Sequence, residues 1–302
     1  MKSSYITPSV TLFEADGKTI DLKAMQAHFE YLIQGGVDGI LIFGSIGEFF
    51  SVPMEEKKKL ITCAVETIKG RVRLFVGTTS MEKSETIALS RFAKQAGADA
   101  VIILPPYYFP LSDKFVENYY DQLATELSDQ TVYLYNFPDR TGYSISVPVI
   151  LNLLKKHKNI AGIKDTQAGM ANTIDLVKRV KSQYPDFEVF SGFDDNFAHN
   201  VLSGGDGCIA GLSNVTPKLC HAWVQAFADN DLQKVADIQR TINGLMEIYN
   251  VGVPFVPYIK AAMIENGQDV SGVSVFPFMQ AEQAEKQALA DILAKWLPAD
   301  MR

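Results

Sequence analysis

The chain has 302 residues, enough for one large domain or two ordinary ones, and its 47% apolar share suits a protein with a sizeable core. Its formal net charge of −7 comes from acids and bases mixed along the chain. With no basic stripe, nucleic acid is excluded as the main partner, and the acidic balance gives no electrostatic reason to expect binding at a membrane surface.

In chain order, apolar β-rich runs alternate with amphipathic helical stretches. The predicted strands are Ile6–Phe13, Gly39–Gly44, Arg73–Thr78, Ala100–Leu104, Val132–Asn136, Ala161–Asp165, Glu188–Gly192 and Gly207–Leu212. Runs such as Ile40-Leu41-Ile42-Phe43 and Val101-Ile102-Ile103-Leu104 are continuously apolar, as parallel strands covered on both faces are. Helices are predicted between them over Leu22–Gln34, Pro53–Lys69, Glu82–Gln95, Asp113–Leu127, Val147–His157, Met170–Gln183, Asp194–Leu202 and Pro217–Ala228. Eight strand–helix units imply a (β/α)8 TIM barrel over residues 1–230, in preference to a doubly wound open sheet. From Asp231 no convincing strand remains. Helices over Leu232–Asn250, Phe255–Glu265 and Phe278–Trp296 predict a C-terminal helical extension, residues 231–302.

No apolar run approaches the roughly 20 residues of a membrane span, and Met1-Lys2-Ser3-Ser4-Tyr5 lacks the apolar core of a signal peptide. Cys63, Cys208 and Cys220 are odd in number and lack metal-type spacing, so they read as reduced thiols and a cytoplasmic location is expected. The histidines, His28, His157, His199 and His221, form no short-spaced pair, and no metal site is expected.

In such a barrel, active-site residues lie at the C-terminal ends of the strands and in the loops that follow. The sixth strand carries Lys164 in Ile160-Ala161-Gly162-Ile163-Lys164-Asp165-Thr166. Burying an ammonium without a partner is expensive, which favours the neutral amine, a nucleophile for carbonyl carbon. An amine of ordinary pKa, about 10.4, is neutral only about 0.04% of the time at pH 7; a value near 7.4 makes roughly 30% neutral. The plainer alternative puts Lys164 just past the strand, in solvent or paired with Asp165.

Other strand ends supply further candidates. Gly44-Ser45-Ile46-Gly47-Glu48 is either an ordinary strand-to-helix turn or one whose N–H groups and Ser45 hydroxyl hold a small carboxylate. In Pro105-Pro106-Tyr107-Tyr108 a stiffened exit carries two phenols, a pair that by itself is packing or interface material. Alternation puts Tyr133 and Tyr135 on one side of the fifth strand, as barrel filling or as a proton shuttle. Arg140 either grips a second carboxylate or pairs with a surface acid. Gly204-Gly205-Asp206-Gly207 reads as a tight turn at the opposite mouth, with phosphate binding the weaker alternative.

Taken together, Gly44-Ser45-Ile46-Gly47-Glu48, Pro106-Tyr107-Tyr108, Tyr135-Asn136-Phe137-Pro138 and Gly162-Ile163-Lys164-Asp165-Thr166 resemble, in order and spacing, the dihydrodipicolinate synthase / N-acetylneuraminate lyase family of class I, pyruvate-dependent aldolases. The resemblance covers nearly the whole chain. It implies a Schiff base between Lys164 and the ketone of pyruvate, proton transfer by Tyr135, and a relay through Ser45 and Tyr108, with Tyr108 lent by a neighbouring subunit in many members. It also implies that Ser45 and the N–H groups of Ser45 and Ile46 hold the pyruvate carboxylate, and that Gly192 and Ile209 line the pocket. The implied partners are a small 2-oxo acid, pyruvate, and an aldehyde; the implied assembly is a homo-oligomer, a dimer of dimers, and imine chemistry needs neither metal nor cofactor.

Within the family, Gly47-Glu48-Phe49-Phe50 with Tyr135-Asn136-Phe137-Pro138 is most similar to 2-keto-3-deoxy-sugar-acid aldolases. Ile46 replaces a second hydroxyl residue common in the synthases and sialic acid lyases. Arg140 in Asp139-Arg140-Thr141-Gly142 instead resembles the synthases, where it receives the carboxylate of aspartate semialdehyde. Phe49 and Met81 replace polar residues that bind feedback lysine, so lysine inhibition is not expected. The first expectation is reversible cleavage of a 2-keto-3-deoxy sugar acid to pyruvate and an aldehyde. Dihydrodipicolinate synthase, condensing pyruvate with aspartate semialdehyde, stands second. A non-catalytic ligand-binding protein on the same fold and a metal-dependent aldolase are the remaining alternatives.

Overall fold

A computed structural model describes residues 1–301. Eight strands close into a barrel in sequence order: β1 (Ser4–Pro8), β2 (Gly39–Ile42), β3 (Arg73–Gly77), β4 (Ala100–Ile103), β5 (Val132–Asn136), β6 (Ile160–Asp165), β7 (Glu188–Ser191) and β8 (Gly207–Ile209). The helices are α1 (Leu22–Gln34), α2 (Met54–Ile68), α3 (Lys83–Ala96), α4 (Asp113–Glu126), α5 (Pro138–Thr141), α6 (Val147–Lys156), α7 (Ala171–Leu176), α8 (Phe197–Leu202) and α9 (Pro217–Ala228), then α10 (Leu232–Leu245), α11 (Val256–Glu265) and α12 (Gln283–Trp296). The expected TIM barrel and the C-terminal helices are both present. No helix among the described residues is long and apolar enough to cross a membrane.

Differences from expectation lie at element ends. β1 stops at Pro8 rather than Phe13, and Phe13 instead pairs antiparallel with Ile20. The helix expected over Met170–Gln183 is α7 continued by a π-helical turn, Val177–Lys181, and the one expected from Asp194 opens with a 3-10 turn, Asp194–Asn196. α10 likewise ends in a 3-10 turn, Met246–Asn250. α12 starts at Gln283 rather than Phe278. Glu282 and Glu285 set that start as a reciprocal capping box, in which the Glu282 N–H donates to the Glu285 carboxylate at 2.7 Å. The four-residue α5 was not expected.

Two compact units divide the chain. The unit of residues 75–209 holds strands β4 to β8. Its parallel registers set Tyr135 level with Lys164 and Lys164 level with Phe190, and one residue on they set Asn136 level with Asp165 and Asp165 with Ser191.

The other unit, residues 1–74 with those from Ala210 onward, holds β1, β2 and the helices from α9. Its chain ends are tied through Asn214, whose amide donates to the carbonyls of Pro8 (3.0 Å) and Gly211 (2.9 Å). The Asn214 Oδ1 accepts from the Val10 N–H at 3.1 Å and lies 3.1 Å from Nε2 of His28 on α1. An amide oxygen can only accept, so His28 donates there from Nε2. Burial pushes its pKa down from 6.5 to about 4, only partly opposed by the Asn214 contact.

That depression fixes a sign. Above pH 6.5 His28 is neutral folded and unfolded, and costs nothing. Between pH 6.5 and about 4 only the unfolded chain takes up the proton, so stability is lost as pH falls through this window. The loss amounts to about 3 kcal/mol by pH 4. His28→Gln keeps an N–H for Asn214 but does not titrate. We predict that urea unfolding of this variant loses about 3 kcal/mol less than the unsubstituted protein between pH 7.5 and 4. Equal losses would remove His28 as the cause.

Candidate active site

Strand period and register build the half of the site carried by residues 75–209. On one face of β5 and β6, the first level joins Tyr133 to Gly162. A Cβ on Gly162 would sit 2.6 Å from the Tyr133 ring and 2.6 Å from the Glu188 carbonyl, so only glycine leaves space for that ring. The Tyr133 hydroxyl donates to the Glu188 carboxylate, and its ring meets Phe75 edge-on at 5.1 Å. Of the two readings for Tyr133, the structure selects barrel filling.

Two residues on, the same face carries Tyr135, Lys164 and Phe190. Lys164 is 4% exposed, and its Nζ lies 4.5 Å from the centroid of the Tyr135 ring. Phe190, fully buried, flanks it on β7. The amine thus sits at a phenol face and beside an apolar ring, and the solvent-facing reading of Lys164 is wrong.

The opposite face disposes of the pairing with Asp165. Alternation turns the Asp165 carboxylate away from Lys164, toward the helix side. There it accepts from Asn136 Nδ2 (2.7 Å), Gln167 Nε2 (3.1 Å), Asn172 Nδ2 (3.1 Å) and the Thr173 hydroxyl (2.7 Å). Four neutral donors satisfy a carboxylate that is 1% exposed. Asn136 also accepts the Ile145 N–H at 2.9 Å, so one amide ties the Tyr135 strand, the Lys164 strand and the loop after α5 together.

Gly192, just past β7, makes a second close approach. A Cβ there would lie 1.8 Å from the Thr166 hydroxyl, which is buried and finds no partner among the described residues. Ile209 ends β8 and is fully buried. Arg140 lies on α5, exposed, with its guanidinium 5.1 Å from the centre of the Phe137 ring. Tyr108 is 77% exposed and packs edge-on against Phe109 at 4.9 Å, while burial pushes the pKa of neighbouring Tyr107 up. Asp206, in the glycine-rich turn before β8, accepts from Lys181 Nζ (2.6 Å) and the Val189 N–H (2.7 Å). That turn already holds its own carboxylate, as a structural turn does.

In the other unit, Ser45 and Ile46 follow β2 in a turn in which the Glu48 N–H donates to the Ser45 carbonyl at 3.2 Å. Phe43 (φ +58°) and Glu48 (φ +56°) are left-handed without being glycine, an uncommon pair of conformations that marks a constrained turn. Ser45 is half-buried and Ile46 buried.

Residues 1–296 match the dihydrodipicolinate synthetase family. The chain belongs to this family. YagE of Escherichia coli (strain K12), named as a candidate 2-dehydro-3-deoxy-D-gluconate aldolase, is 34% identical over 288 residues, covering 95% of each protein. The crystal structure of YagE in complex with pyruvate superposes with a TM-score of 0.94 over 97% of this chain and 98% of that one. YjhH of the same organism, named as a candidate 2-dehydro-3-deoxy-D-pentonate aldolase, is 33% identical over 291 residues, 96% of each. The 4-hydroxy-tetrahydrodipicolinate synthase of Hydrogenobaculum sp. (strain Y04AAS1) is 31% identical over 297 residues, 98% of this chain and 99% of that one. Membership makes the chain a carbon–carbon lyase by family, one whose members use pyruvate and an aldehyde.

Asn136, Thr166 and Phe190 are the site neighbours that sequence patterning does not single out. Asn136 carried a signal, since it repeats the Tyr135 strand's alternation on the helix side; the close approach of Thr166 to Gly192 left none. Asp165→Ala would orphan four donors around Asn136. We predict a loss of about 3 kcal/mol or more in urea unfolding, since hydrogen bonds to a charged acceptor are worth roughly 1.5–3 kcal/mol each before non-additivity. A loss under about 1 kcal/mol would contradict the clamp.

Proposed function

We propose that the chain is a class I aldolase in which Lys164 forms an imine with C2 of pyruvate, and that it reversibly cleaves a 2-keto-3-deoxy sugar acid to pyruvate and an aldehyde. The observation that carries the reading is the buried Lys164 amine level with Tyr135, with Asp165 engaged elsewhere. The catalytic part is the barrel, residues 1–230, with 231–302 as a helical extension. Its location is the cytoplasm, in keeping with three buried free cysteines.

In the cleavage direction the Lys164 amine adds to the C2 carbonyl, and loss of water leaves a protonated imine. Tyr135 removes the proton from the C4 hydroxyl. The C3–C4 bond breaks, its electrons pass to the imine nitrogen as an enamine forms, and the aldehyde departs. The proton held by Tyr135 returns to C3, and hydrolysis frees pyruvate and the lysine. Ser45 and Tyr108 relay protons to and from Tyr135. Ser45 and the N–H groups of Ser45 and Ile46 hold the carboxylate, and Gly192 and Ile209 line the pyruvate pocket. The imine is the electron sink, so no metal takes part.

Arg140 favours a second reading, a synthase that condenses pyruvate with aspartate semialdehyde. It stands exposed on α5, ready to receive a distal carboxylate. The exposure of Tyr108 supports its service to a second copy, within a dimer of dimers.

Borohydride added with pyruvate should trap a reduced adduct on Lys164, located by mass spectrometry, and Lys164→Met should abolish it. No adduct on the unsubstituted chain would favour a binding protein without catalysis. Chelators should leave activity unchanged; its loss would point to a metal-dependent aldolase. A substrate panel separates the two branches: cleavage of 2-keto-3-deoxy acids supports the first, and turnover of aspartate semialdehyde weakened at least tenfold by Arg140→Ala supports the second.

Mixing tests the lending of Tyr108. Lys164→Met and Tyr108→Phe should each be inactive alone, and co-refolding them should restore part of the activity, because one site per mixed pair regains both groups. Absence of complementation would return Tyr108 to its own subunit.

A further inference from the structure

The turn carrying Ser45 and Ile46 is anchored from the C-terminal helices by a charge pair to which none of the roles above gives a task. Glu48 and Lys260 are both fully buried, with Lys260 Nζ 2.5 Å from Glu48 Oε1 across 212 residues of sequence. Each has one further backbone partner. Glu48 Oε2 accepts the Val275 N–H at 2.8 Å, and Lys260 donates to the Val273 carbonyl at 2.7 Å. The Lys260 ammonium also lies 4.9 Å from the centre of the Phe13 ring. Thr11 holds the turn from the other side, donating to the Gly47 carbonyl at 2.7 Å.

A buried ion pair is a poor way to gain stability, because desolvation of both charges offsets their attraction. Here burial pushes the Glu48 carboxyl up and the Lys260 ammonium down, and each partner opposes the other's shift. What such a pair does well is fix geometry, since neither charge can leave without stranding the other. Glu48 is held in a left-handed conformation three residues after Ser45 and two after Ile46, so displacing its carboxylate displaces the turn.

We propose that Glu48 and Lys260 are positioning residues for substrate carboxylate binding: their buried pair, with Val273 and Val275, sets the Ser45–Ile46 turn to receive the carboxylate of the 2-oxo acid. This rests on the function proposed above. It gives the C-terminal helices a part in recognition, through α11, rather than a packing role alone.

The test compares borohydride trapping on Lys164 by pyruvate and by methyl pyruvate, a neutral ester with the same ketone. Two variants are used. Glu48→Gln with Lys260→Met removes both charges together. Glu48→Asp keeps the charge but shortens its reach, and aspartate tolerates the left-handed conformation well. In Glu48→Asp, and in the double variant where it folds, half-saturation by pyruvate should rise about tenfold. Trapping by methyl pyruvate should stay within twofold of the unsubstituted protein. A merely structural role would weaken both ketones alike, and that result overturns the proposal. So does an unchanged pyruvate half-saturation in Glu48→Asp. Failure of the unsubstituted chain to trap pyruvate at all would instead overturn the imine reading, independently of Glu48 and Lys260.

Discussion

A parallel strand covered on both faces offers a cation no water, and the candidate site depends on Lys164 standing on such a strand. The ordinary remedy for a buried lysine is a carboxylate, and one is adjacent in sequence. The two-residue period of a strand denies it: Asp165 faces the helices while Lys164 faces Tyr135 and Phe190. The amine is therefore left with a phenol face and an apolar neighbour. A nitrogen not committed to an ion pair is the one that can attack a ketone.

Four buried charges are treated in three ways, and the differences track what each must do. Asp165 is satisfied by four uncharged donors. An arginine or lysine in their place would also satisfy it, but would set a second cation close to Lys164 and disturb the amine. Neutral donors hold the β5–β6 register without adding charge. Glu48 and Lys260 satisfy each other and so fix the approach of a turn to a helix far along the chain. Lys164 alone has neither arrangement, and that asymmetry is the best physical ground for giving it the chemistry.

Much of this was legible in the sequence because the deciding patterns are local. Continuous apolar runs gave the parallel strands, and α1 and α9 fall on their expected bounds because Asp21 and the Thr216-Pro217 step mark their starts. What was not legible is set by partners distant in the chain or by subtle local geometry. Val10 to Phe13 look like strand, but the Asn214 amide takes the Pro8 carbonyl and the Val10 N–H where a further strand would have to pair. The π-helical turn after α7 has no compositional mark. Lys260 reads as an ordinary helix lysine, and only the fold, which brings Glu48 across 212 residues, buries it. Tyr133 and Tyr135 share one face and one residue type. What separates them is that Gly162, level with Tyr133, leaves a space its ring fills, while the same level at Tyr135 holds Lys164.

The choice between the two substrate branches turns on Ile46 and Arg140, which favour opposite sides, and the magnitudes are unequal. Ile46 is 7% exposed in the turn assigned to the carboxylate. A substrate that needs a hydroxyl donor there would leave a polar group unpaired against an apolar side chain, at a cost of roughly 1–3 kcal/mol. Arg140 is exposed, and its guanidinium already lies over Phe137. A carboxylate captured at that position stays in contact with water, where a charge pair is worth roughly 0.2–1 kcal/mol. The buried position therefore discriminates more strongly than the exposed one, and it weighs against a substrate that needs a hydroxyl donor there. Arg140 leans toward the second branch without excluding the first, since a sugar-acid hydroxyl can also accept from a guanidinium, though more weakly than a carboxylate does. The residue that looks most like a synthase is thus the one least able to decide the matter, and Ile46 is the better guide to the substrate.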